Sequence, residues 1–418
     1  MNVLYLVFES LLGGHVISAI TISKEMKNRG VNPFFAGAEG VLTPEIQKIM
    51  PFEPVHIPMF HGTKHTYFTW SSLSSIKKLR EIVKRRKIDL IHAFDAVSYM
   101  HAYTAGILER VPVLCTLCGG TDPYYNLPYA PSLIVFSEEQ KQKMLKTFGW
   151  SDCNVVVLRT RLDLKQITES ASSLRDDEAL QLGLDPLLPK VMMISSFDRT
   201  KIRSIYKVLD AIENLYEQNF VFQTILIGGK GVLHEEAAAR AKKINNKFEA
   251  KRVVLTGPVI KAFRLLQRAE IVLGVGRSAF EGMAYACPVL VVGEKGYAGT
   301  VGPEDIDTIA WYNFSGRNQK EETSTERLAV EISSLLLDKT KRKRLGEFGR
   351  EFVFNEIDVI RGASRIASIY DMVLSQRESL MTCKQWLSFS KCLLPVMCDN
   401  GLHSIKERMK NIFQLAEI

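Results

Sequence analysis

Short apolar runs rich in β-branched residues alternate along the chain with longer stretches whose apolar positions recur every three to four residues. Residues 3–8, 32–36, 88–93, 111–117, 132–136 and 154–158 read as strands, and helical patterns fall near 14–29, 72–86, 96–109 and 137–148. Such alternation predicts a parallel sheet with helices on both faces. The near-continuous apolar character of 111–117 suits a strand buried on both sides. The pattern breaks over 164–189, where Ser170, Ser172, Ser173, Asp176, Asp177, Gly183, Pro186 and Pro189 collect. It restarts with strands at 191–195, 222–227, 252–255, 271–274 and 289–292, and with helices near 203–217, 233–246, 260–267, 277–286, 324–338 and 340–353.

This pattern divides the chain into a first α/β domain over 1–170, a linker over 171–189 and a second α/β domain over 190–356. A further helix spans 357–376. The extension 377–418 resembles neither half; it carries Trp386, Phe389, Pro395 and an amphipathic stretch with Ile405, Met409, Ile412 and Phe413.

Composition narrows the class. With 418 residues, 46% hydrophobic and 24% charged, the chain is neither disordered nor fibrous, and its length predicts two or three domains. No apolar run approaches the ~20 residues that span a bilayer. The run at 3–8 has no basic segment before it and no small-residue cleavage site after it, so no signal peptide is read. Seven scattered cysteines, an odd number, fit reduced thiols and a cytoplasmic setting. The net charge of +8 favours an acidic partner: a phosphorylated substrate, an anionic membrane face or nucleic acid.

Candidate chemistry gathers at strand ends. The first strand runs into Gly13-Gly14-His15 and then a helix, a turn that lets a ligand approach the backbone, although it is no dinucleotide fingerprint. In the second half three successive strands end in glycine turns: Gly228-Gly229-Lys230-Gly231, Thr256-Gly257-Pro258-Val259 and Gly274-Val275-Gly276-Arg277-Ser278. Ligands of open α/β sheets bind beyond the carboxyl ends of the strands. Amides at Arg277, Ser278 and Ala279 would face an anion at a helix start, and Glu281, one turn on, suits a sugar hydroxyl better than a phosphate. A first-turn Glu complementing the helix dipole is the plainer alternative. Arg199, Lys201 and Arg203, just after another strand, could neutralise a diphosphate; a solvated helix start is again the plainer reading.

These residues carry a resemblance. Glu281-Gly282-Met283-Ala284-Tyr285-Ala286-Cys287-Pro288-Val289 resembles the E-A-M-A-x-G-x-P-V segment of family-4 retaining glycosyltransferases of the GT-B fold. Asp89-Leu90-Ile91-His92-Ala93-Phe94-Asp95 is similar to the family's D-(V/I)-(V/I)-H-A-H-D, and Gly13-Gly14-His15, Arg29-Gly30 and Ala269-Glu270-Ile271 match softer segments. The resemblance covers about residues 1–375. It implies two Rossmann-like domains facing a cleft, with the acceptor on the first, a nucleotide-sugar on the second and a terminal helix crossing back to the first. It further implies that Glu281 binds the donor ribose, that the amides of Arg277–Ala279 and a basic pair bind the diphosphate, and that His92 lies by the donor sugar. The chain departs from the family where Leu273 replaces a frequent second Glu, Ser196 replaces an Arg, and Cys118 stands in T-(L/F)-H-G.

Other signals carry less. Cys115-Thr116-Leu117-Cys118 lacks a second pair for zinc, Asp305-Ile306-Asp307 mimics a metal motif of a different architecture, and no acidic residue lies among His56, His61 and His65 to suggest a metal there. His101 reads as a packed helix residue. In 76–88, Lys77, Lys78, Arg80, Lys84, Arg85 and Lys87 face away from Ile76, Leu79, Ile82 and Val83. That is either a solvated face or a contact for anionic lipid headgroups. Nucleic acid is disfavoured because no aromatics interleave with the charges.

The expectation is a retaining glycosyltransferase that needs no metal and no cofactor. It would move a sugar from a nucleotide diphosphate donor, uridine-based, to a cytoplasmic saccharide, lipid-linked or cell-envelope acceptor. His92, Lys201 and Arg203 are expected to be catalytic. Gly13, Gly14, Gly228, Gly229, Gly257, Val259, Gly276, Arg277, Ser278, Ala279 and Glu281 are expected to bind the donor. The alternatives are a nucleotide-sugar epimerase or phosphorylase of the same fold, or a weakly catalytic scaffold for a partner glycosyltransferase.

Overall fold

The computed structural model describes residues 1–58, 72–119, 127–128, 132–148, 150–169, 174–375 and 390. His61, His65, part of the expected linker and all but one residue of the extension 377–418 lie outside them. The chain forms two units: Met1–Leu158 together with Ile360–Ile418, and Arg159–Val359 between them.

Among the described residues the first unit holds seven strands: β1 (Asn2–Glu9), β2 (Asn32–Ala38), β3 (Phe52–Pro54), β4 (Leu90–Ala93), β5 (Val113–Leu117), β6 (Leu133–Val135) and β7 (Val155–Val157). They form one sheet in the order β3-β2-β1-β4-β5-β6-β7, parallel throughout. Strand periodicity sorts β1 between two cores: Leu4 and Leu6 enter one cluster, while Val3, Tyr5 and Val7 enter the other. The first core is capped by the helices Ser72–Arg86 and Ala96–Glu109. The second is capped by Gly14–Asn28 and by the late helix Val359–Ser375, which supplies Ala363, Ile366, Ile369, Tyr370 and Val373.

The second unit holds β8 (Lys190–Ile194), β9 (Gln223–Ile227), β10 (Val253–Gly257), β11 (Ile271–Gly274), β12 (Val289–Gly293) and β13 (Gly296–Thr300). Their order is β10-β9-β8-β11-β12-β13, parallel except for the antiparallel edge strand β13. Here too alternation feeds two faces: Met192 and Val272 face one cluster, and Val191, Met193, Ile271 and Leu273 the other.

The division between the units differs from the sequence expectation. It falls after Leu158, and the stretch expected as a linker contains the helices Leu164–Glu169 and Asp176–Gln181, whose Leu164, Ile167 and Ala179 are buried in the second unit's core. Residues 159–170 therefore do not end the first domain. The strands β3 and β13 are additions to the sequence reading. Among the described residues no helix is long and apolar enough to cross a membrane.

Candidate functional site

In the second unit the strand order turns outward in both directions from β8 and β11, which lie side by side. This is the switch point beside which open α/β sheets bind ligands. The loops after β8, β9, β10 and β11 all emerge at the carboxyl edge here, so the three glycine turns read from the sequence do share one edge.

The loops after β8 and β9 interlock. Gly228 has φ +111° and Gly229 φ +77°, conformations in which a side chain would be strained. A Cβ on Gly228 would strike the Ser195 carbonyl oxygen, and one on Gly229 would strike the Phe197 ring. The Gly228 amide donates to the Gly257 carbonyl at 2.9 Å, which ties the β10 turn to the same edge. Val259, beyond that turn, packs partly against the core.

Asp198 organises the basic segment. Its carboxylate accepts from the Ser196 hydroxyl at 2.5 Å and from the Thr200 and Lys201 amides at 2.9 and 3.1 Å. Partial burial opposes its charge, but the hydrogen bonds from Ser196 and Thr200 and the nearby Lys201 outweigh that and hold the carboxyl below its usual range. Lys201 Nζ donates to Ser196 Oγ at 3.0 Å, which keeps the ammonium over the loop at the start of the helix Ile202–Glu217. Arg203 leans the other way, 3.6 Å from the exposed Glu294 after β12. Sequence reasoning passed over Asp198, although its spacing to Thr200 is that of a local side-chain-to-backbone turn.

After β11, Gly276 takes φ +53° and ψ −120° and caps the helix Arg277–Ala284. Among the described residues no backbone carbonyl accepts from the amides of Arg277, Ser278 or Ala279, so this helix start presents unpaired donors of the kind that hold anions. The Ser278 hydroxyl is turned back onto the loop, donating to the Val275 carbonyl at 3.1 Å. Glu281 is buried, and Arg277 Nε donates to its Oε1 at 2.8 Å. Burial pushes the Glu281 carboxyl up, and Arg277 opposes the push without cancelling it. Leu273, where the family often has Glu, is fully buried among apolar side chains.

In the first unit, Gly13 is extended at φ −133° and caps the helix Gly14–Asn28, and nothing lies within 4 Å of a Cβ built on Gly14. His15 stacks on Phe8 with ring centroids 5.6 Å apart. Asp95 caps the helix Ala96–Glu109, accepting from the Ser98 amide at 2.6 Å. His92, which the resemblance sets by the donor sugar, lies in β4. It is fully buried, with Nδ1 2.8 Å from Tyr370 Oη and Nε2 2.7 Å from Thr116 Oγ1. Burial alone depresses it to about 3, so the ring is neutral. Tyr370 donates to Tyr5 at 3.2 Å and is thus open to accept from His92 Nδ1–H, leaving Nε2 to accept from Thr116. With no exposed surface and both nitrogens engaged, the ring is part of the first unit's packing.

The basic helix Ser72–Arg86 is also more committed than its sequence suggests. Glu109 holds Arg80 at 2.5 Å and Lys84 at 3.4 Å, and Glu53 holds Arg85 at 2.6 Å and Arg86 at 2.7 Å. Lys77, Lys78 and Lys87 are exposed and make no ion pair among the described residues. Asp305 accepts from the Thr300 amide, as a turn residue does. Cys115 and Cys118 are free thiols, and burial holds both far above the usual thiol range. No group of three or more His, Cys, Asp or Glu that could hold a metal is present among the described residues.

Residues 12–165 match the model of Glycosyltransferase Family 4. The chain is similar in structure to a glycosyltransferase from Rickettsia africae ESF-5, with TM-score 0.68, 18% identity, and 89% of this chain and 98% of that one covered. It is also similar to Anabaena HepE in complex with UDP and glucose, with TM-score 0.67, 16% identity, and coverage of 89% and 99%. UDP-GlcNAc 2-epimerase from Neisseria meningitidis, bound to UDP-GlcNAc, matches with TM-score 0.59, 14% identity, and coverage of 88% and 99%. No curated protein sequence matches the chain. At these identities the structural likeness is one of fold. The chain thus has the GT-B fold of two Rossmann-like units, and the family-4 match agrees with the resemblance carried by its own motifs.

Proposed function

We propose that the chain is a retaining glycosyltransferase that takes a nucleotide diphosphate sugar, uridine-based, and transfers the sugar to a saccharide, lipid-linked or cell-envelope acceptor without a metal or other cofactor. The family-4 match and the fold support a glycosyltransferase. The observation that carries the donor reading is the edge beside β11, where unpaired amides at Arg277–Ala279 stand one helical turn from the Glu281 carboxylate. That spacing suits a diphosphate on the amides and a ribose hydroxyl on the carboxylate. Anabaena HepE, with the same fold, binds UDP and UDP-glucose.

In this reading Lys201 and the helix-end amides stabilise the leaving diphosphate while positive charge builds on the sugar. The acceptor attacks from the departing face, and the diphosphate itself takes the proton. Arg203 is the alternative cation. His92 has no part in the chemistry; it holds Tyr370 and Thr116 in the first unit. In this reading the protein contacts an anionic membrane face peripherally from the cytoplasmic side; the exposed Lys77, Lys78 and Lys87 support the contact.

The test is product analysis of the purified full chain with UDP-sugars, with and without saccharide acceptors. UDP release that depends on acceptor, with the anomeric configuration retained in the product, is the expected result. The epimerase of the same fold motivates the second reading: a changed nucleotide-sugar formed from donor alone would establish it in place of transfer. Absence of any nucleotide release would leave the scaffold alternative.

A further inference from the structure

The side chain of Arg277 is already engaged within its own unit. Its Nε donates to Glu281 Oε1 at 2.8 Å, one turn along the same helix, and its Nη1 donates to the Arg161 carbonyl at 3.2 Å. Arg161 is buried and bonded in turn to the Glu356 carbonyl. The segments around residue 161 and residue 356 are themselves joined, since Leu162 bridges Asp358 and its amide donates to the Ile357 carbonyl at 3.1 Å. Arg277 is therefore fixed at one end to a braced pair of segments. Its side chain is only 15% exposed and that of Glu281 9%.

A guanidinium held in this way makes a poor roaming phosphate ligand. It makes a good clamp: its position is set by the fold, and it fixes one carboxylate oxygen while Oε2 is left for a ligand. A carboxylate this buried, without a counter-charge, would take up a proton and lose much of its strength as an acceptor.

We propose that Arg277 is a positioning residue for nucleotide recognition: it keeps Glu281 ionised and aimed so that the carboxylate can accept from a ribose hydroxyl. This rests on the reading of Glu281 as the ribose contact. It predicts that Arg277 determines how well the site distinguishes a ribose from a deoxyribose, and that it contributes little to holding the phosphates.

The test measures binding of UDP and 2′-deoxy-UDP to the full chain by calorimetry between pH 5.5 and 8, for wild type, Arg277→Met, Arg277→Lys, Glu281→Gln and the Met/Gln double variant. Wild type should prefer UDP by about tenfold or more, the scale of one hydrogen bond to a charged group. Arg277→Met should collapse that preference near neutral pH while changing 2′-deoxy-UDP affinity less than about threefold. Raising the pH should restore part of the preference in this variant, because the carboxylate re-ionises, whereas a purely structural defect would not respond. Arg277→Lys should retain much of the preference and guards against misfolding of the Met variant, which a thermal melt checks. In the Glu281→Gln background, Arg277→Met should not alter the preference further. Equal weakening of both nucleotides by Arg277→Met, with the preference intact at every pH, overturns the proposal and makes Arg277 a phosphate ligand. A wild type that binds both nucleotides without preference removes the ribose role of Glu281 and the proposal with it. A wild type that binds neither overturns the donor reading itself.

Discussion

Acid should destabilise the first unit through His92. In the native fold this imidazole is buried and neutral, with its affinity for a proton depressed to about 3. In the unfolded chain it titrates near 6.5. Below pH 6.5 the unfolded state therefore binds a proton that the folded state refuses. The stability His92 contributes is fully present above about pH 6.5 and is lost progressively as the pH falls towards 3. Each pH unit in that window costs about 1.4 kcal/mol, so moving from pH 7 to pH 5 should cost about 2 kcal/mol. For a unit of this size that corresponds to roughly 4–8 °C in Tm. The perturbation is His92→Gln, which can hydrogen-bond but cannot titrate. The assay is the thermal or urea midpoint of wild type and variant at pH 5, 6, 7 and 8. The variant should be less stable at pH 7, because it disturbs the bonds to Tyr370 and Thr116, and the gap should narrow by about 2 kcal/mol at pH 5. His15 and His101 are also depressed by burial; they add to the acid sensitivity of both proteins and drop out of the difference. A gap that stays constant from pH 8 to pH 5 would refute the argument, since it would mean that His92 titrates alike in the folded and unfolded states.

Three further outcomes are expected. Glu281→Gln should weaken UDP binding by about 10–150-fold, read by calorimetry, because a hydrogen bond to a charged acceptor is lost. Lys201→Ala should lower kcat/KM while sparing affinity for uridine, whereas Arg203→Ala, whose partner Glu294 is exposed, should have the smaller effect; equal activities would move the phosphate contact elsewhere. Cosedimentation with anionic vesicles should depend on Lys77, Lys78 and Lys87, each worth about 1 kcal/mol near the surface. Charge reversal at these three should abolish binding that neutral vesicles never show and that 0.5 M salt removes.

Much of the fold was legible because buried parallel strands leave a plain mark. β11 and β12 were read within a residue of their observed ends, and the helices Ser72–Arg86 and Ala96–Glu109 at their observed ends. The short helices at 164–169 and 176–181 were not, because each rests on a few apolar anchors such as Ile167 and Ala179 among polar and charged residues. The edge strands β3 and β13 were missed for a related reason: they are short, and β13 contains two glycines and only one large apolar residue, Tyr297. At the site, the glycine turns announced themselves. The pairing of Arg277 with Glu281 was open to a reading of helix spacing, since residues four apart are neighbours, but the sequence reading weighed only a sugar hydroxyl and the helix dipole as partners for Glu281. His92 was read as a site residue by motif, and its contact with Tyr370, 278 positions away, could not be read from the sequence. The pairing of the basic helix with Glu53 and Glu109 is equally a product of tertiary structure.

The late helix Val359–Ser375 gives the first unit a particular history during synthesis. Two stretches separated by the whole of Arg159–Val359 make one core, so the unit begun first is completed last. When residue 158 leaves the ribosome, Tyr5, Val7 and His92 still lack the surface that Tyr370 and its neighbours provide. At about 5–20 residues per second, that face waits roughly 10–40 seconds for its cover while the intervening unit is made. A nascent chain stalled within the second unit would present an open apolar face, which makes the first unit, rather than the second, the natural client of a chaperone.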